Sequence, residues 1–289
     1  MSEAVSSSKQ RLDSSAANRS PRPSTRAGAK KVRKRRLPGW LPNQHGAWFM
    51  LFVPSLIGLL IAPSWAAVLL LLTWWFGYFT YFAITIWVKG RLRSKHLPPV
   101  FTYGVITALV GIATLVVRWQ LLAWLPIFAP IISIAIYETI QRRERSILSG
   151  WSTVLAASLM LPTAVSAATT GTPTVVSGDI WLLAIWFATY FGGSIYYVKT
   201  LIRDFGKPAR FYQSLLVHAV VFIGAGVLTI MRPGTWPVTV VSACLLIRSY
   251  VMPRYAVKRG KRIAPKYIGM IDTIISLFVV LAGLIAFGG

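Results

Sequence analysis

Acidic residues are scarce in this chain: seven Asp and Glu stand against 31 Lys and Arg in 289 residues. They are also scattered, with Glu3 and Asp13 near the start, Asp179 far from either end, and nothing like an Asn-Asp-x-x-Asp run. Magnesium takes oxygen ligands, usually carboxylates together with phosphate, and this set offers no grouped carboxylates for one. The single cysteine, Cys244, excludes an intrachain disulfide and a cysteine-rich metal site. Three histidines, His45, His96 and His218, fall at no metal-ligand spacing. A nucleotide-phosphate loop, a Ser-His-Asp set and a Cys-pair motif are missing as well.

What the chain does have is apolar length. Hydrophobic residues make up 55%, charged ones 13%, and the mean hydropathy is +0.60. The apolar runs are roughly 17–22 residues long, the length that crosses a bilayer as a helix. The composition therefore describes an all-α polytopic membrane protein whose first partner is the lipid bilayer. The net charge of +24 fits that reading better than nucleic-acid binding. Of the basic residues, 11 precede residue 40 and most others fall in alternate loops. Charge spread in this way attracts anionic lipid and sets orientation. DNA binding would need a folded basic surface or a reading motif, and the sequence has neither.

Two regions follow from composition. Residues 1–43 are rich in Ser, Pro, Ala, Lys and Arg and end near the block Lys30-Lys31-Val32-Arg33-Lys34-Arg35-Arg36. They are expected to form a disordered basic cytoplasmic tail held against anionic lipid, and not a cleavable signal peptide. Residues 44–289 read as a nine-span transmembrane domain. The spans are placed near 46–62, 65–88, 99–117, 120–137, 150–169, 180–198, 213–231, 236–252 and 269–287. With the N-terminus inside, the connections 89–98, 138–149, 199–212 and 253–268 are cytoplasmic and carry four, three, four and six Lys or Arg. The opposite connections hold only Arg118 and Arg232. That asymmetry predicts an N-in, C-out bundle with its basic side in the cytoplasm.

Polar groups inside spans are costly, so their placement is informative. His45 opens span one, Glu138 closes span four, and Lys199 and Arg203 close span six. His218, Arg248 and Asp272 lie one or two turns from the same side. Such a distribution predicts a cavity open to the cytoplasm. Lys199 and Arg203 share a helix face with Tyr196, and Lys89 and Arg93 repeat the Lys-x-x-x-Arg spacing at the end of span two. Two matching basic corners suit an anionic ligand; anchoring of helix ends at the headgroups is the plainer account. Arg248 and Asp272, at similar depth, are expected to pair with each other or with Arg203. Glu138 is expected to pair with Arg142, His218 to be a packing residue, and His96 to be exposed. The patch Trp74 to Phe82 suits either an acyl or isoprenoid tail or helix packing.

The run Pro42-Asn43-Gln44-His45-Gly46-Ala47-Trp48, followed by Pro54, resembles the opening signature of the YwiC-like family of bacterial membrane proteins. The Tyr-Val-Lys-x-x-x-Arg run at 197–203 and the entry from Pro265 to Asp272 are similar to that family's pattern, so the likeness covers roughly 40–289. The family would have Glu where this chain has Asp272. A more distant likeness is to the UbiA-type intramembrane prenyltransferases, which share nine spans, an inside N-terminus and polar signatures after spans two and six. Those signatures are Asp-rich and imply magnesium and a prenyl diphosphate. Here Lys89, Arg93, Lys199 and Arg203 occupy the corresponding places.

These readings lead to an amphiphile with an anionic head, such as an isoprenoid or lipid phosphate, bound at a cytoplasm-facing pocket. Lys89, Arg93, Tyr196, Lys199, Arg203 and Arg248 are the ligand-binding candidates. His45 and Asp272 are the candidate acid or base should group transfer occur. A secondary transporter of a small anion and a non-catalytic membrane subunit are the alternatives. No cofactor is named by the sequence.

Overall fold

The structure, a computed structural model, describes residues 39–42, 45–143 and 145–288, and the side chains of all of these but 45–47 and 265. The expected basic tail, residues 1–43, lies almost wholly outside the described residues. Among the described residues nine α-helices follow one another: α1 (His45–Ile61), α2 (Trp65–Lys89), α3 (Leu97–Val117), α4 (Leu125–Ile140), α5 (Ile147–Ala167), α6 (Gly178–Ile202), α7 (Pro208–Met231), α8 (Trp236–Lys258) and α9 (Pro265–Phe287). Short 3-10 turns join several of them, and no strand occurs among the described residues. Eight of the helical segments are long and apolar enough to cross a membrane. The exception is α1, 17 residues long, at the lower limit for a crossing. This is a multi-pass membrane protein.

Helix ends follow from local chemistry. Ser64, Ser146 and Ser177 cap α2, α5 and α6, each accepting a hydrogen bond from a backbone N–H three residues on. Proline stands in the first turn of α3, α4, α7, α8 and α9, where its missing N–H is harmless. Lys89, Lys199 and Lys258 lie in the last turns of α2, α6 and α8, facing the negative ends of those helices. At this end, where the basic connections gather, α6 to α9 run several residues past the limits of their apolar runs. At the opposite end the helices stop where the apolar residues stop.

Close helix contacts rely on glycine. Gly58 of α1 sits so near α5 that an added Cβ would lie 2.6 Å from the Leu161 carbonyl oxygen. Gly192 of α6 faces the Trp151 ring of α5 at 2.3 Å by the same measure, and Gly283 of α9 faces Leu183 and Trp186 of α6. The main core joins α1 and α5 to α9 through Val154, Leu161, Leu183, Phe187 and Val279. Helix α6 is its axis, packing against α5, α7, α8 and α9.

Helices α2 and α3 form a separate pair. Threonine hydroxyls bridge it at Thr73–Thr114 and at Thr80–Thr107, both 2.9 Å. The aromatic patch on α2 packs mainly against neighbouring helices. Trp74 and Trp75 donate their indole N–H groups to the Leu51 carbonyl and to Ser55 of α1. Trp75 meets Phe52 edge-on at 4.5 Å, and Phe79 lies against Trp48 and Tyr103.

Candidate functional site

The second half of α6 presents two different faces. Tyr190, Ser194, Tyr197 and Leu201 recur at three- and four-residue spacing and form one stripe. Tyr196, Lys199 and Arg203 form another, rotated by roughly 200° on a helix of 3.6 residues per turn. The first stripe turns toward α8 and α9, where Tyr197 and Leu201 pack with Ala256 and Ile268. The second turns toward α5, whose Trp151 donates to the Tyr196 hydroxyl at 3.2 Å.

The second stripe ends in a concentration of positive charge. Lys199 feels the charges of Arg203, Arg210 and Asp204. Arg203 is pushed below the usual arginine value by burial and then by the like charge of Arg145, from the turn between α4 and α5, with Asp204 opposing. Asp204 bonds Lys207 at 2.8 Å and Arg210 at 3.4 Å. Those contacts, the Lys207 hydrogen bond first, hold its carboxyl below the ordinary range. One carboxylate therefore serves four cations, Lys199, Arg203, Lys207 and Arg210, with Arg145 as a fifth beside Arg203. Lys89 and Arg93 are exposed at the end of α2. Helices α2 and α6 each pack on α5.

The first stripe borders a different kind of site. Arg248 of α8 donates through Nη1 to Asp272 Oδ1 of α9, so of the two arginines expected to pair with Asp272 the structure has Arg248. Its guanidinium lies over the Tyr197 ring, 4.0 Å from the centroid. Only 6% of the Arg248 side chain is exposed, against 22% of Asp272. Nearby, the Tyr190 hydroxyl lies 2.7 Å from Ser276 Oγ. His218 bonds the Ser214 carbonyl at 2.8 Å through Nδ1, and its ring lies against Gly193. His218 is thus a packed, bonded residue, as the sequence implies. Arg248 was grouped with Lys199 and Arg203 as one ligand-binding set; the structure puts it on the other face of α6.

Two other expectations change. Glu138 is buried and takes its contacts from Arg143, at 3.7 Å, and from the Ser146 hydroxyl, at 2.5 Å. Helix α4 ends at Ile140, and Arg142 adopts a φ of 56°, so the four-residue helical spacing to Arg142 does not exist. His96 is half-buried, its ring against Gly90. Backbone placement puts His45 first in α1, and its side chain lies outside the described residues.

The magnesium implied by the UbiA likeness finds a poor donor set here. Glu138, Asp179, Asp204 and Asp272 each sit in a separate ion pair. Among the described residues no three His, Cys, Asp or Glu come together.

The family model described as YwiC-like protein matches residues 41–165. Over that segment the chain is similar to the YwiC-like family. An uncharacterized protein of Haemophilus influenzae is 28% identical over 187 residues, which is 63% of this chain and 77% of that one. The uncharacterized protein YwiC of Bacillus subtilis is 27% identical over 180 residues, 62% of this chain and 73% of its own. No solved structure matches. The YwiC-like segment takes in α1 to α4 and most of α5, hence His45, Lys89, Arg93 and the Trp74–Phe82 patch. Lys199, Arg203, Arg248 and Asp272 lie beyond it.

Proposed function

We propose that this YwiC-like protein binds the anionic head of an amphiphile, of the isoprenoid- or lipid-phosphate kind, at the basic end of the bundle. The observation that carries the reading is the set of five cations around the end of α6, four of which share the single carboxylate of Asp204. Cations this close repel one another, and an incoming phosphate or carboxylate relieves that repulsion without a metal. The apolar face of α6 ends at the same place, so a head held there leaves its tail in lipid. Tyr196 borders the head group, and Lys89 and Arg93 form its far edge across α5. Binding is favoured over group transfer, because the buried carboxylates at this end are already engaged, Asp272 by Arg248 and Glu138 by Arg143 and Ser146. In this reading the bundle crosses the membrane nine times on a UbiA-like scaffold, with the basic end in the cytoplasm.

The test is mass spectrometry of lipids and metabolites retained by the purified protein, beside a Lys199→Ala, Arg203→Ala double variant. The variant is expected to lose a phosphate- or carboxylate-headed species. Equal occupancy of the same species in both proteins would remove the head-group assignment.

A further inference from the structure

Arg248 has more hydrogen-bonding capacity than the protein uses. Its Nη1 is bonded to Asp272, yet Nε and Nη2 are buried without a partner. The Tyr197 hydroxyl and Ser214 Oγ are buried without a partner as well, and the buried Ser194 Oγ has only the neighbouring Tyr190 hydroxyl within reach. All five atoms lie in the halves of α6, α7 and α8 nearest the basic end. Tyr197 lies under the guanidinium, Ser194 is one turn before it on the same stripe, and Ser214 is one turn before His218, which feels the Arg248 charge. Buried donors left without acceptors are expensive, and a concentration of them marks a place where an acceptor belongs.

Charge decides which acceptor. Asp272 already neutralises Arg248, so the pair as a whole has no net charge. A second full negative charge at this depth would be uncompensated, and uncompensated buried charge is what low-dielectric sites exclude most strongly. The basic end of α6 has the opposite character, being rich in unbalanced positive charge. The two stripes of α6 therefore differ in the charge they present. Asp272 is the less buried partner, so the pair is more accessible from its side.

We propose that Arg248, Tyr197 and the serines around them form a second binding site, one that takes an uncharged oxygen acceptor of the carbonyl class carried on a lipid-soluble molecule. The carbonyl oxygen accepts from Arg248 Nε or Nη2 and from the Tyr197 hydroxyl, and the apolar remainder leaves past Asp272. The site is independent of the anion site proposed above, since it uses the other face of the helix.

A long-chain methyl ketone with a carbon-13 carbonyl, added to the protein in nanodiscs, is a suitable probe. Infrared difference spectroscopy should show the labelled carbonyl shifted to lower frequency on binding. Tyr197→Phe removes only a hydroxyl that makes no hydrogen bond in the protein, so it should fold normally and bind the ketone about fivefold more weakly, the loss of one hydrogen bond. Arg248→Lys should weaken binding further, and Lys199→Ala with Arg203→Ala should leave it unchanged. Dodecyl phosphate should fail to displace the ketone. The assignment is overturned if the wild-type protein shows no shifted band, because the donors then hold internal water only. It is equally overturned if Tyr197→Phe binds as well as wild type, or if dodecyl phosphate competes.

Discussion

At the scale of single residues, the Arg248–Asp272 pair is the most consequential contact in the bundle. Removing one partner of a buried pair costs about 3–5 kcal/mol, because the survivor keeps its charge without its counterion. Asp272→Asn is therefore expected to lower stability in detergent by roughly that amount, whereas Arg248→Met with Asp272→Leu should be close to neutral. Reversible denaturation of the three proteins decides it; an Asp272→Asn variant as stable as wild type would mean the pair is not formed. The pairing was legible in the sequence, because two opposite charges at equal depth in consecutive spans have few other options. Tyr197 was not. It belongs to the same short run as Lys199 and Arg203, and only the helical rotation puts it on the opposite face. Glu138 was misread for a related reason: a four-residue spacing means nothing once the helix has ended. Asp204 makes a prediction about acid. Its carboxyl is held below the ordinary range, chiefly by Lys207, so its contribution to stability is complete above the unfolded value near pH 4 and fades as pH falls through the lowered one. A melting-temperature series against pH should show Asp204→Asn below wild type at neutral pH and the gap closing in acid. The gap will be small, since the loop meets water.

At the scale of elements, the packing order depends on where side chains are missing. Gly192 admits the Trp151 ring, and any Cβ there would meet three ring carbons within 2.7 Å. Gly192→Ala should therefore cost about 1–3 kcal/mol, the usual range for overpacking. Gly224 of α7 has open space around it and should accept alanine without loss. Comparing their melting temperatures separates a close helix contact from glycine as such. The α2–α3 pair makes a different demand. Its threonine bridges lie in lipid, where interhelical hydrogen bonds average about 0.6 kcal/mol, so a double-mutant cycle on Thr73 and Thr114 should return a coupling of that size. The sequence showed each of these helices, because hydropathy over twenty residues is a strong local signal. It did not show which helices touch, because that choice is made by single glycines meeting particular rings and carbonyls far away in the chain. Nor did it place the ends of α6 to α9 well. Lys, Arg and Pro there mark a change of solvent, and the backbone hydrogen bonds continue beyond it.

For the molecule as a whole, polarity is divided by height along the bundle. Lys89, Lys199 and Lys258 end three helices at one level, with Arg145, Arg203 and Arg210 beside them. At the other level the charges are Arg118 and the Asp179–Arg232 pair, 2.5 Å apart, which ties the start of α6 to the turn after α7. Basic residues flanking membrane helices are retained on the cytoplasmic side, so the crowded level should face inward and the Asp179–Arg232 level outward. Cysteine chemistry tests this cleanly, because the chain has one cysteine to remove. In a Cys244→Ser background, a Thr174→Cys variant should react in intact cells with a thiol reagent that cannot cross membranes. Lys95→Cys, in the connection after α2, should react only once the membrane is opened. The reverse pattern would invert the bundle and put the five cations outside. A phosphate-headed ligand would then have to come from the exterior, and the proposed anion site would lose its access to the cytoplasm. The Arg248 site would survive such a reversal, since a neutral ligand arriving from lipid does not depend on which way the bundle stands.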